Sequence, residues 1–179
     1  MFSAKFPLFL LISVYFAWAD IIEKTSDNYG PYTVEWEQYY SCRGPKLTNL
    51  TEYTTTLVKE SNFYNGAINI TFPNDTKVED VKMCVYSIKG NRKTLLYNNM
   101  INKPCQHYLM SKVFESYVGA QNCLIKKGTY ITELNFTEII QKHLGTSFFY
   151  GEFVFKVLVL SKKGNIICLM FNPIFKKKV

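Results

Sequence analysis

Apolar positions in this chain recur mostly at every second residue, the spacing of strands that bury one face. Ala67-Ile68-Asn69-Ile70-Thr71-Phe72 alternates cleanly, with Ile68, Ile70 and Phe72 on one face and Asn69 on the other. Tyr32 to Tyr40 alternates more loosely around Trp36. Val81 to Ile88 reads as a further strand, ending at Lys89-Gly90-Asn91, where Gly and Asn tolerate positive φ. Phe153 to Leu160 and Ile166 to Phe171 form a last hairpin, closed by the same device at Lys162-Lys163-Gly164-Asn165. Thr129 to Phe136 sets Tyr130, Thr132, Leu134 and Phe136 opposite Asn135. Together these segments predict a mostly β chain, an antiparallel immunoglobulin-like sandwich of roughly seven or eight short strands.

One segment departs from the period of two. After Pro104, which suits a first helical turn, Leu109, Met110, Val113, Phe114, Tyr117 and Val118 recur at spacings of three and four, predicting an amphipathic helix that stops near Gly119. A second short helix is expected from Phe136 to Leu144, ended by Gly145, against the strand preference of Ile139-Ile140. Internal repeats, low-complexity tracts and linkers are absent, so one domain accounts for the chain.

The first residues set the compartment. Lys5, the apolar run Phe6 to Phe16 and the ending Ala17-Trp18-Ala19 read as a cleavable secretory signal over residues 1–19, with a single domain over 20–179. A membrane anchor is the alternative, but the run falls short of the ~20 residues that span a bilayer. In an oxidising compartment most of Cys42, Cys84, Cys105, Cys123 and Cys168 pair, and five leave one thiol over. Spacing alone does not give the connectivity. Asn-x-Thr sequons at Asn49, Asn69, Asn74 and Asn135 mark outward positions and candidate glycosylation sites. The net charge of +7 then points not to nucleic acid but to lipid headgroups, glycans or cell surfaces.

Catalytic chemistry finds few supports. The chain has no Gly-x-Ser-x-Gly, His-Glu-x-x-His or nucleotide-binding Gly-rich loop, and with no Cys-x-x-Cys and two histidines, His107 and His143, a zinc site is poorly provided for. Glu35 and Glu37 share a strand face that reads as solvated. The sequence therefore predicts neither an enzyme nor a cofactor or metal. Hydrolysis using His107 or His143 remains the minor reading.

A family resemblance rests on particular residues. Cys123-x-x-Lys-x-Gly128-Thr129-Tyr130, Gly151-Glu152-Phe153 opening a strand, Lys163-Gly164 at its turn and Cys168 in the returning strand resemble the C-terminal half of the ganglioside-activator branch of the ML lipid-recognition superfamily. Trp36 followed by Cys42 is similar to that branch's first strand. Leu96-Tyr97-Asn98 before Cys105, the helix, and Asn122-Cys123 resemble a large arthropod family of secreted proteins that includes the chemosensory CheB proteins. The likeness covers residues 30 to 175, with Leu124 where the family usually has Pro. It implies a β-cup: two antiparallel sheets splayed around an apolar cavity, with one or two helices at the rim and a lipid, glycolipid or chemosensory cue inside. It also implies the disulfides Cys42–Cys168 and Cys105–Cys123, leaving Cys84 as the odd thiol, either a small buried hydrophobe or an intermolecular link. Further cysteines of the activator branch have no counterpart here.

The candidate cavity residues are Trp36, Ile68, Ile70, Phe72, Met83 and Val85 in the first half, and Tyr130, Leu134, Phe136, Phe153, Phe155, Val157 and Phe171 in the second. Because three consecutive aromatics cannot all point inward from a strand, Phe148-Phe149-Tyr150 is expected on a loop at the cavity mouth, a locally buried turn being the alternative. Met110 and Phe114 are placed at the mouth as well. The tail Phe175-Lys176-Lys177-Lys178 suits an anionic membrane surface or frays into solvent. The expected protein is a secreted, non-enzymatic, monomeric carrier of a hydrophobic ligand with transient membrane-surface contact. The alternatives are a filled sandwich, because interiors are normally close-packed, and a ligand-free protein that binds a receptor or cell surface. A lipocalin is disfavoured, since Val34-Glu35 precedes Trp36 where its Gly-x-Trp would stand.

Overall fold

The computed structural model describes residues 28–60 and 63–178, so the expected signal at 1–19 lies outside the described residues. In chain order these residues form β1 (Tyr29–Ser41), β2 (Glu52–Glu60), β3 (Phe63–Phe72), β4 (Thr76–Lys77), β5 (Asp80–Lys89) and β6 (Arg92–Asn102). A 3₁₀ turn at Pro104–Gln106 leads into α1 (Tyr108–Val118), then β7 (Leu124–Ile125), β8 (Gly128–Asn135) and α2 (Phe136–Leu144). The chain continues through β9 (Ser147–Phe149), β10 (Gly151–Ser161) and β11 (Gly164–Lys177). A six-stranded sheet, β6-β5-β10-β11-β1-β9, faces a three-stranded sheet, β2-β3-β8, and β4 pairs with β7 in a short ribbon. Every strand pairing is antiparallel. The expected sandwich is the fold observed, and it is the two-sheet architecture that the ML resemblance implies.

The alternation read from the sequence holds on both sheets. Ile70 and Phe72 are buried while Asn69 is exposed. Tyr53, Thr55 and Leu57 of β2 stand opposite Ile70, Ile68 and Gly66 of β3, which in turn oppose Tyr130, Thr132 and Leu134 of β8. On the large sheet Val85, Phe155 and Phe171 lie side by side in register.

Helix ends follow local chemistry. α1 stops at Gly119 in the left-handed region (φ 58°), whose N–H bonds Glu115 O while Ala120 N–H bonds Phe114 O at 3.2 Å. Asn135 caps α2, its Oδ1 accepting from Glu138 N–H at 3.0 Å. Both disulfides implied by the resemblance are formed, Cys42–Cys168 joining the end of β1 to β11 and Cys105–Cys123 clasping the two sides of α1. Cys84 is a buried free thiol that donates to Asn98 Oδ1 at 3.6 Å, so the small-hydrophobe reading holds.

Several expectations are corrected. Phe148-Phe149-Tyr150 is not a loop: Phe148 and Phe149 belong to β9, which pairs with Tyr29–Pro31 of β1. The basic tail does not fray, because β11 continues to Lys177, Phe175 is 1% exposed and Lys176 pairs with Glu35 at 2.5 Å. Phe136 faces inward but from the first turn of α2 rather than from β8, since the Asn135 cap starts the helix there. On α1 Met110, Phe114 and Val118 face inward, but Val113 and Tyr117, expected on the same stripe, are exposed. The last hairpin does not turn on positive φ at Gly164 or Asn165. Gly164 is required by space instead, since a Cβ there would meet Thr48 O at 2.6 Å.

Candidate functional site

The interior is built by side chains that the two sheets hold facing each other, and most of it falls into two clusters, a third and smaller one gathering Leu158, Leu160 and Cys168 against Cys42. At one end Ile70 and Phe72 of β3 meet Val81 of β5, Ile166 of β11 and Phe114 of α1, beside the Cys105–Cys123 disulfide. At the other end Trp36, Tyr64, Val85, Phe136, Phe153, Phe155 and Phe175 form an aromatic cluster, onto which Leu134, Phe148, Phe149 and Phe171 pack. Met83 and Val157 oppose each other across β5 and β10, on the same face as Val85 and Phe155, and belong to neither cluster.

A β-bulge shapes the aromatic end. The register of β1 on β11 slips between Trp36 and Gln38, so that Trp36 opposes Pro173 and Tyr39, three residues later, opposes Phe171. An unbroken strand would turn Tyr39 away from the face of Trp36; the extra residue turns it inward. Both rings rest on Phe136, with centroids 4.7 Å and 5.0 Å away. Phe136 in turn lies over Gly66 of β3, the one residue type that leaves it room, since a Cβ there would come within 2.2 Å of the ring. Phe155 and Phe171 stack at 5.5 Å on neighbouring strands.

One side of the sandwich is stitched shut. The segment crossing from β1 to β2 runs along β11: Asn165 N–H bonds Thr48 O and Leu50 N–H bonds Asn165 O, each at 2.8 Å. Thr51 Oγ1 donates to Ile166 O, and Tyr53 OH donates to Cys168 O at 2.7 Å while accepting from Cys168 N–H at 3.0 Å. Asn165 is buried and anchors the segment through Lys46 and Asn49. On the opposite side β8 pairs only with β3 among the described residues. Three strands span about 10 Å and six about 24 Å, so the small sheet cannot cover the large one. The inward-facing Ile68, Met83, Leu134, Val157 and Phe171 accordingly remain half-buried.

Polar groups in this interior are few. Burial pushes the Tyr39 phenol well above its ordinary range, with the nearby Tyr53 adding to the effect, and burial also raises Tyr53 against the opposing hydrogen bond from Cys168. Trp36 Nε1, Tyr39 OH and Asn172 Oδ1 are buried without a hydrogen-bond partner. His107 is exposed at the start of α1, and Glu35 is occupied by Lys176. Among the described residues no group of three or more His, Cys, Asp and Glu side chains is placed to hold a metal ion, and no helix is long and apolar enough to cross a membrane. The chemistry this arrangement supplies is apolar and aromatic contact with a small number of hydrogen-bond donors.

The structure gathers most of the sequence-derived set but not at one place. Trp36, Val85, Leu134, Phe136, Phe153, Phe155 and Phe171 join at the aromatic end, whereas Ile68, Ile70, Phe72 and Tyr130 join the other cluster. The five residues expected at a single mouth are separated. Met110 and Phe114 pack at the α1 end, Phe148 and Phe149 pack at the aromatic end, and Tyr150 donates to Pro31 O.

No family model matches the chain, and no curated protein matches it in sequence. Solved structures do. Chicken MD-1, solved in complex with lipid IVa, aligns at 12% identity and a TM-score of 0.40, covering 80% of this chain and 97% of that one. A Niemann-Pick type C2 protein from the Japanese carpenter ant aligns at 12% identity and a TM-score of 0.28, covering 80% and 92%. The C-terminal domain of wzt aligns at 10% identity and a TM-score of 0.33, covering 83% and 82%.

Tyr39 and Tyr53 are interior residues that the sequence reading missed. Tyr53 was legible, since Tyr53, Thr55 and Leu57 share a face, but a Thr-rich strand carries little apolar contrast. Tyr39 was not, because the bulge at Glu37 has no signature in side-chain polarity.

Proposed function

We propose that this protein is a secreted, non-enzymatic carrier or presenter of a hydrophobic ligand, a lipid, glycolipid or chemosensory cue, held between the two sheets by a monomer. The observation that carries this reading is the residual exposure of Met83, Val157, Ile68 and Phe171, which face the opposite sheet from mid-strand, and of Leu134 near the end of β8. In a close-packed sandwich such positions would be sealed. Apolar and aromatic linings with a few placed polar groups are what small-ligand sites present, and burial there is worth about 25 cal/mol per Å² of apolar area. The ML-like motifs and both disulfides support the same reading, and the disulfides together with the N-terminal pattern support export. Glycosylation belongs to it too: Asn49, Asn69 and Asn74 are exposed and Asn135 is half-buried at its cap. The stitched β2–β11 side would leave ligand entry to the side bordered by β8, α1 and α2, where transient contact with a membrane surface delivers it.

Native mass spectrometry of protein made in a eukaryotic secretory host, with uptake of a fluorescent fatty alcohol, tests the proposal. A co-purifying apolar adduct or stoichiometric uptake is expected. A protein that carries no adduct, takes up no probe and instead captures a receptor would overturn it.

A further inference from the structure

Buried polar side-chain atoms are nearly always paired, and each one left unpaired costs ~1–3 kcal/mol. Two of the unpaired atoms here are donors on one strand, Trp36 Nε1–H and Tyr39 O–H. Trp36 is 7% exposed, and both rings lean on the same Phe136. It is the bulge in β1 that brings the second donor to this face. A phenylalanine at position 39 would pack against Phe136 equally well and leave nothing unsatisfied, so the phenol oxygen has no evident structural reason to be there.

Resting on the carrier reading above, we infer that Trp36 and Tyr39 form a polar anchor for an uncharged oxygen acceptor, a hydroxyl or an ester or ketone carbonyl, on an otherwise hydrophobic ligand. Both groups donate, so the ligand must accept. Acceptor charge is decided by the surroundings: the rings against Trp36 and Tyr39 are those of Phe136 and Phe171, and the lysine recorded at this cluster, Lys59, sits 5.5 Å over the Tyr64 ring instead. An ionised carboxylate would be buried there without a cation, at a cost no pair of neutral donors recovers. Because burial holds the phenol protonated, Tyr39 stays a donor across the physiological range.

Competition binding tests the anchor. Oleyl alcohol, methyl oleate, oleate at neutral pH and the matching hydrocarbon are each titrated against a fluorescent apolar probe bound to the full glycosylated protein. The alcohol and the ester are expected to bind about tenfold more tightly than the hydrocarbon, and oleate no more tightly than the hydrocarbon. Tyr39→Phe is expected to remove most of that preference while leaving hydrocarbon affinity and the ligand-free Tm unchanged, or Tm slightly raised. Trp36→Phe is expected to act in the same direction, and Tyr39→Phe decides if that variant folds poorly. Unchanged preference in Tyr39→Phe would overturn the anchor. So would a lowered ligand-free Tm with all affinities falling in parallel, the signature of a phenol already satisfied by internal water. Hydrocarbon binding without preference for the oxygen-bearing ligands sinks the anchor alone, whereas no competition by any of the four sinks the carrier reading with it.

Discussion

Gly66 shows how a single position without a side chain organises the interior. It lies in β3 between Leu57 and Leu134, and its missing Cβ is the space that the Phe136 ring occupies. That ring is not free to retreat, because Trp36, Tyr39 and Phe171 hold its other faces at 4.7 Å, 5.0 Å and 6.2 Å. Gly66→Ala is therefore expected to cost about 2 kcal/mol through overpacking, outweighing the gain from a less flexible unfolded chain. Thermal unfolding checks this, and a Tm equal to or above that of the parent protein would show that Phe136 has room to move. Asn165 makes a related point in polar terms. The sequence presents it as a turn residue, yet it is buried and tied to Lys46, Thr48, Asn49 and Leu50. A Gly-Asn pair reads the same whether it supplies a backbone conformation or a hydrogen-bonding hub, and only the segment from 44 to 50 packed against it distinguishes the two.

Elements were legible where burial imposes a period and illegible where hydrogen bonding alone makes the strand. β3, β5 and β8 carry apolar alternation, whereas β10 and the first part of β11 were legible as near-continuous apolar runs on either side of a turn. β2 was not seen because Thr dominates it, and β6 was not seen because it is an edge strand with a bulge beside Leu96, where alternation is broken. The end of β11 was misread for a different reason: Lys176 and Lys177 look like a solvated tail, but pairing with Thr33 and Tyr32 carries them along as edge cations over a buried Phe175. Phe175→Ala is thus expected to cost ~3–5 kcal/mol, as for a core aromatic, where a frayed tail would lose nothing. Denaturant unfolding checks this, and a midpoint equal to that of the parent would return the tail to solvent. β9 follows the same logic, since Phe148 packs on Phe175 at 4.6 Å and the triplet is held by both its strand pairing and its rings.

At the scale of the molecule, one unequal pairing organises everything else: six strands face three. The crossing segment, fixed at its start by Cys42–Cys168, and the Thr51 and Tyr53 hydrogen bonds lock the small sheet to β11 on one side, while α1, clasped by Cys105–Cys123, and α2 border the other. Of the half-exposed inward-facing residues, Ile68 borders one cluster, Leu134 and Phe171 border the other, and Met83 and Val157 belong to neither. The architecture and both disulfides could be anticipated from the cysteine positions and the short motifs around Gly128 and Gly164 once a family resemblance supplied the pairing. The division into two clusters could not, because it depends on which strands oppose each other across the sheets rather than on any local pattern. The central claim is that a hydrophobic ligand occupies the space between those clusters, and photo-crosslinking tests it most directly. A fatty alcohol carrying a mid-chain diazirine is bound, irradiated and mapped by peptide mass spectrometry. Labels are predicted on Met83, Val157, Leu134 and Ile68; labels confined to outward residues such as Ile131 and Val58, or no saturable labelling at all, would contradict the account.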